Sequence, residues 1–242
     1  MDLHGRVVLV TGGARRVGRT IAESLAKRHA HIVISYRSSA REAQDAAKTL
    51  QRYGIEALAL RADLAKSADV QRLMARIRRR FGRLDVLVNS AANFDRTPFT
   101  TLTERDWDHA LDTNLKGPFL CALYGSRLMR RGGKIINIAD WAGVRPYRDY
   151  LPYCVSKSGV IGLTKALAKE LAPKIQVNAI APGPILPPPD MTAAARRRVI
   201  RRVPLQRWGS PQDIANTVLF MIEGTDFMTG SVVFVDGGQL IA

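Results

Sequence analysis

The sequence predicts a Rossmann-like α/β fold: a doubly wound parallel seven-stranded sheet covered by helices on both faces, in three layers α/β/α. Three observations predict it. Seven short apolar runs alternate with stretches of helical period, the pattern of parallel strands joined by crossover helices. A glycine-rich turn, "TGGARRVG", separates the first apolar run from the first helical stretch. The length of 242 residues, 46% of them hydrophobic, suits one α/β unit. Residues 1–242 are therefore read as a single domain.

The strands follow in order as "RVVLV" (6–10), "HIVISY" (31–36), "IEALALRA" (55–62), "LDVLVN" (84–89), "KIINIA" (134–139), "IQVNAIA" (175–181) and "SVVFVD" (231–236). Helices are expected near 17–28, 40–53, 67–81, 103–130, 152–172 and 211–222. In the third of these, Val70, Leu73, Met74, Ile77 and Phe81 recur at helical spacing, and the arginines between them fall largely off that stripe. Right-handed crossovers then wind the sheet doubly. One segment breaks the alternation, "PGPILPPPDMTAAARRRVIRRVPLQRWGSP". Pro187, Pro188 and Pro189 cannot sit inside a helix or a central strand. Its length and its place after a strand's carboxyl end suggest a substrate lid over about 184–210.

Composition narrows the class. No apolar stretch reaches the roughly 20 residues of a membrane span, and "MDLHGRVVLV" lacks a signal-peptide layout. Two cysteines, Cys121 and Cys154, make neither a disulfide framework nor a metal cluster, so no metal and a reducing, cytoplasmic setting are expected. The 37 basic residues against 21 acidic ones give a charge of +16. Such a balance could mark a nucleic-acid binder, but it also suits a solvated basic surface around an anion-binding site, and Arg72, Arg76, Arg79 and Arg80 are expected largely to face water. No nucleic-acid partner is expected.

The glycine turn suits a phosphate. Gly12 and Gly18 let backbone approach an anion, and the following helix presents unpaired N–H groups and a positive dipole end. The spacing is Gly-x5-Gly, not the G-x-G-x-x-G fingerprint. After the second strand an acidic residue would hold the adenosine ribose of NAD, whereas arginine accommodates the 2′-phosphate of NADP. Arg37 and Ser38 stand there, directly after Tyr36, and Arg15 adds charge from the turn, so NADPH is the expected cofactor. Asp63 follows the third strand. It either holds the adenine amino group or caps the next helix.

The stretch "IADWAGVRPYRDYLPYCVSK" holds the candidate chemistry. Tyr153 and Lys157 stand four apart and share a helix face. A free tyrosine with a pKa near 10 is a poor catalyst at neutral pH; a neighbouring ammonium favours phenolate. Asp140 ends an apolar strand thirteen residues upstream of that tyrosine. It can orient Tyr153 and relay a proton, or simply cap backbone N–H groups.

Taken in order, "TGGARRVG", "LVNSAA", "NLKG", "YCVSK" and "NAIAPGPI" resemble the short-chain dehydrogenase/reductase family over nearly the whole chain. The resemblance implies a catalytic set of Asn114, Tyr153 and Lys157, to which the branch named below adds Asp140. It implies cofactor contacts from Gly12, Arg15, Arg16, Val17 and Gly18, from Tyr36, Arg37 and Ser38, and from Asp63 and Leu64. Asn89, Ala91, Lys157 and the Pro182–Gly183 turn complete that set, and the family implies a homotetramer. Most members have Gly where this chain has Arg16 and Ser where it has Asp140. Both departures resemble the pteridine reductase branch, as does Phe94 in "NFDRTPF"; Ala92 and Asn93 depart from it. That resemblance implies reduction of a pterin or folate C=N bond, with Arg16, Phe94, Asp140 and Tyr153 around the substrate. The alternative is a 3-oxoacyl-[acyl-carrier-protein] reductase or another carbonyl reductase of the same fold, whose basic surface would meet an acidic carrier.

Overall fold

The computed structural model describes residues 1–188 and 191–242. The strands are β1 Val7–Thr11, β2 His31–Tyr36, β3 Ala57–Arg61, β4 Val86–Asn89, β5 Gly133–Ile138, β6 Ile175–Pro182 and β7 Val232–Val235. They form one sheet in the order β3-β2-β1-β4-β5-β6-β7, with every pair parallel. The chain builds outward from β1 on one side, then returns to lay β4 on the other. That reversal leaves a crevice at the carboxyl ends of β1 and β4.

The helices are α1 Arg16–Ala26, α2 Ala40–Gln51, α3 Ser67–Phe81, α4 Glu104–Leu111, α5 Gly117–Gly125, α6 Leu151–Leu171, α7 Ala193–Ile200 and α8 Pro211–Leu219. Alternation along β1 divides the core. Val8 and Val10 pack with Ile21 and Leu25 of α1, Ala43 and Leu50 of α2, and Ile214 and Val218 of α8. Val7 and Leu9 pack on the opposite face with Leu73 and Ile77 of α3, Leu120 of α5 and Ala168 of α6. A period of two on the strands thus supplies both layers from one run. Burying each such side chain contributes about 1.5–3 kcal/mol. Val70, Leu73, Met74 and Ile77 of the α3 stripe are buried as the spacing requires, Phe81 is half-buried at its end, and Gly82, at φ 73°, ends the helix.

Two features differ from the expected elements. The stretch 103–130 is not one helix. A π-helical turn, Asp112–Lys116, joins α4 to α5, and a 3-10 turn follows at Ser126–Leu128. Pro118 lacks the N–H that a regular helix would direct at the carbonyl of Asn114, so the ladder must reorganise there. The irregular segment also contains α7, whose N-cap Thr192 accepts a hydrogen bond from Ala195 N–H at 3.2 Å. Pro189 lies outside the described residues. Among the described residues no helix is long and apolar enough to cross a membrane.

The β1–α1 turn depends on its glycines. Gly12 sits at φ 67°, and a Cβ there would lie 2.9 Å from the Cα of Ala91. A Cβ on Gly18 would lie 2.5 Å from the carbonyl oxygen of Gly12, which is backbone and cannot yield cheaply. Gly18→Ala should therefore cost about 1–3 kcal/mol through overpacking. Chemical denaturation checks this, and an unchanged midpoint would contradict the packing described.

Candidate active site

A cleft of about 1380 Å³ runs along the carboxyl ends of the strands. One end is built by the glycine turn, by the tip of β2 and by the loop after β3. Gly12, Arg15, Arg16, Val17 and Gly18 line it, facing Tyr36, Arg37 and Ser38 across to Asp63 and Leu64. No side chain caps the N-terminus of α1, and its first turn holds no acidic residue. Its N–H groups and dipole are therefore available to an anion, and the turn fits a dinucleotide pyrophosphate. Asp63 accepts a hydrogen bond from Ala65 N–H at 3.2 Å and stands 3.8 Å from Lys66, while Lys66 itself is the N-cap of α3. Asp63 thus braces the preceding turn and does not cap the helix. Arg15 pairs with Glu42 at 3.4 Å.

Asn89 departs from expectation. Its side chain turns into the sheet, donating to Asn137 Oδ1 at 2.9 Å, and it does not line the cleft. Ala91, Pro182 and Gly183 do. Arg16 has left-handed backbone, φ 50°, and reaches the Leu186 carbonyl at 3.5 Å, which links the glycine turn to the segment after β6.

The other end of the cleft gathers Asp140, Tyr153 and Lys157. Asp140 follows β5 and starts a 3-10 turn, Trp141–Gly143. Its Oδ1 accepts from Ala142 N–H at 2.7 Å, and its Oδ2 accepts the Tyr153 hydroxyl at 2.6 Å. It is both a cap and a partner of the tyrosine. Tyr153 and Lys157 lie on α6 and are 7% and 4% exposed. Lys157 Nζ donates to the Ile138 carbonyl at 2.8 Å and stands 5.7 Å from the centre of the Tyr153 ring. Asn114 sits behind the cleft. Its Oδ1 accepts from Asn93 N–H at 2.9 Å, and its Nδ2 donates to Ser156 Oγ at 3.1 Å, which ties the π-turn to α6.

The electrostatics correct one expectation. Lys157 does not make Tyr153 acidic. Burial foremost, then the Asp140 charge and the hydrogen bond to it, hold the Tyr153 phenol well above the usual tyrosine range. Burial also raises the Asp140 carboxyl, against the pull of hydrogen bonds from Tyr153 and Ala142 and of the Lys157 charge. Burial lowers Lys157 from 10.5 to about 8, with Asp140 opposing. The three groups share a pocket in which desolvation outweighs pairing. Protons stay on the phenol, and the carboxyl is drawn toward its neutral form.

Several residues in the cleft wall were not anticipated. Tyr147 and Tyr150 come from the loop before α6, which is held to the 94–97 strip by an Arg96–Asp149 ion pair at 2.7 Å. Phe94 is 46% exposed and stacks on Tyr150 at 4.5 Å, while meeting Tyr153 edge-on at 4.6 Å. One face of Phe94 is therefore already covered by a tyrosine. The three-residue spacing of Tyr147, Tyr150 and Tyr153 was the available signal. At the mouth, Arg148, Arg198, Arg201 and Arg202 line the cleft with no acidic partner among the described residues. No group of metal-ligating side chains occurs among the described residues.

Residues 12–239 match the family described as enoyl-(acyl carrier protein) reductase. The chain is 37% identical over 239 residues to the 3-oxoacyl-[acyl-carrier-protein] reductase FabG of Staphylococcus epidermidis, covering 96% of this chain and 97% of that one. A short-chain dehydrogenase/reductase from Serratia marcescens superposes with a TM-score of 0.93 at 32% identity, covering 99% of this chain and 100% of the other. A blue fluorescent protein from a metagenomic library, in complex with NADPH, gives a TM-score of 0.92 at 32% identity, covering 99% of each. These relatives overturn the expectation of pterin or folate reduction. Full-length similarity runs to 3-oxoacyl-carrier reductases, and none of these relatives is named for pteridine reduction.

The depressed Lys157 carries a stability consequence. Between about pH 8 and its ordinary 10.5 the unfolded chain binds more protons at this lysine than the folded one. The burial penalty is thus present in full below pH 8 and is relieved as pH rises through that window. Lys157→Met should raise the melting temperature at pH 7, and the gain should shrink toward pH 10.5. A lower melting temperature at pH 7 would contradict the assignment.

Proposed function

The chain belongs to the short-chain dehydrogenase/reductase family of oxidoreductases, and from that premise we propose that it reduces the ketone of 3-oxoacyl thioesters with NADPH. The observation that carries the reading is the Tyr153–Asp140 hydrogen bond, 2.6 Å long, at the end of a dinucleotide-sized cleft, in a chain similar throughout to a 3-oxoacyl-carrier reductase. NADPH is supported by Arg37 and Ser38 at the β2 tip, where arginine's fork suits a 2′-phosphate, and by the NADPH complex of the metagenomic relative. Arg37 and Ser38 would hold the cofactor at its 2′-phosphate end, and its nicotinamide would supply the hydride for the carbonyl carbon.

The protein's own residues handle the proton. Tyr153 keeps its proton at neutral pH, which suits an acid. As the carbonyl oxygen becomes negative, Tyr153 gives it the phenolic proton and the alcohol forms. Asp140, when protonated, returns a proton to the phenolate across their hydrogen bond and is left as a carboxylate, which water reprotonates. Lys157 offsets the negative charge that passes through the pair. Asn114, through Asn93 and Ser156, keeps the π-turn and α6 in register. In this scheme Asp140 supplies a proton where serine is usual in the family.

Arg148, Arg198, Arg201 and Arg202, with no acidic partner among the described residues, favour an anionic substrate handle, as on an acyl carrier bearing a phosphate-linked arm. The described residues of the 184–210 segment, α7 among them, are read as a lid over that end. A homotetramer is the expected assembly.

NADPH consumption with an acetoacetyl thioester should be measurable, and Tyr153→Phe should lower kcat by about 100-fold or more while NADPH binding stays unchanged. A wild-type protein that binds NADPH and turns over no 3-oxoacyl thioester would refute the assignment.

A further inference from the structure

The two arginines at the adenosine end of the cleft are not alike. Arg15 and Arg37 both line it, beside Ser38 and Ser39. Arg37 follows β2 and has no acidic partner among the described residues; its backbone carbonyl accepts from Arg61 Nε at 3.3 Å. Arg15, the N-cap of α1, is paired with Glu42 of α2 at 3.4 Å. The two side chains are 56% and 45% exposed, so solvent screens the pair and either partner can be exchanged at little cost.

Glu42 has another use open to it. It is the third residue of α2, and Ser39 is the N-cap, so Ser39-x-x-Glu42 spells a capping box. The same spacing closes fully elsewhere in the molecule. Thr103 with Asp106 at α4, and Ser210 with Asp213 at α8, each exchange both hydrogen bonds. At α2 the box stays open: the Ser39 side chain caps nothing, and the Glu42 carboxylate stands against Arg15. An acid withheld from its own helix and set on a cleft arginine answers a charge in the cleft. A phosphate monoester carries about −1.5 to −2 at neutral pH, more than a carboxylate, and can draw Arg15 away from Glu42. The uncharged ribose hydroxyls of NADH cannot.

We propose that Glu42 is a specificity residue of the cofactor site: it holds Arg15 before cofactor binds, yields it to the 2′-phosphate, and so tempers the affinity for NADPH while leaving that for NADH alone. The proposal rests on the placement of the 2′-phosphate at the β2 tip given above. When the oxidised cofactor leaves, Glu42 is the partner to which Arg15 returns.

The experiment measures dissociation constants for NADPH and NADH by cofactor fluorescence, with full-length wild type, Glu42→Gln, Arg15→Gln, the double variant, Asp45→Asn and Arg37→Ala. It needs no turnover. Glu42→Gln should tighten NADPH by about two- to fivefold, the size of one exposed ion pair, and leave NADH unchanged. With Arg15→Gln already in place, Glu42→Gln should change neither. Asp45→Asn removes the same charge from an exposed position of α2 and should leave both constants unmoved. Arg37→Ala tests the placement separately, and should weaken NADPH by about tenfold or more with NADH little changed. A loss in Arg37→Ala shared equally by both cofactors would refute the placement and the proposal with it. With the placement intact, three results overturn the proposal alone: an unmoved NADPH affinity in Glu42→Gln, a tightening that persists without Arg15, or one that Asp45→Asn reproduces.

Discussion

The hydrogen bond from Tyr153 to Asp140, withdrawn from water at the end of the cleft, is the interaction on which the site depends. In water a carboxyl and a phenol differ by about six pK units and would not share proton chemistry near neutrality. Burial raises both groups, but only the carboxyl is thereby brought closer to the pH at which the protein works. The buried Lys157 is the counterweight. It loses affinity for its own proton and lends positive charge to a pair that would otherwise hold a negative charge alone. Desolvation sets the direction in all three cases, and pairing trims it.

The scaffold exists to hold that pair still. Asp140 is fixed by the end of β5 and by its cap on the following 3-10 turn. Tyr153 and Lys157 are fixed one helical turn apart on α6. Asn114 ties α6 to the π-turn between α4 and α5, and through Asn93 to the strip carrying Phe94. The sheet reversal between β1 and β4 places the glycine turn at the other end of the same cleft. The proposed nucleotide site and proton site are thus both consequences of one strand order.

Much of this was readable from residues, for identifiable reasons. Runs such as "RVVLV" are β-branched and apolar on both alternating sets, which is what burial between two helical layers demands. The α3 stripe placed that helix at 67 to 81, the span the structure shows. The break at Asn114 was also written in the sequence, as Pro118 four residues on, but a long helical period masked it. α7 was hidden by the prolines ahead of it. The direction of the Tyr153 shift was not legible. Spacing shows that a lysine is near, but not how much burial opposes it. The contact between Tyr147 and Trp141 was missed because it arises only when the loop before α6 folds back along the cleft. The substrate class was misread because Asp140 was treated as the mark of one branch, whereas full-length similarity runs to 3-oxoacyl-carrier reductases.

The most direct measurement is the protonation state of Asp140 itself, by infrared difference spectroscopy in the carboxyl stretching region against Asp140→Asn, across rising pH with NADPH bound. A neutral-carboxyl band that persists above the ordinary aspartate range, about 3.9, is the result predicted. A carboxylate already fully ionised at or below that value would contradict the relay.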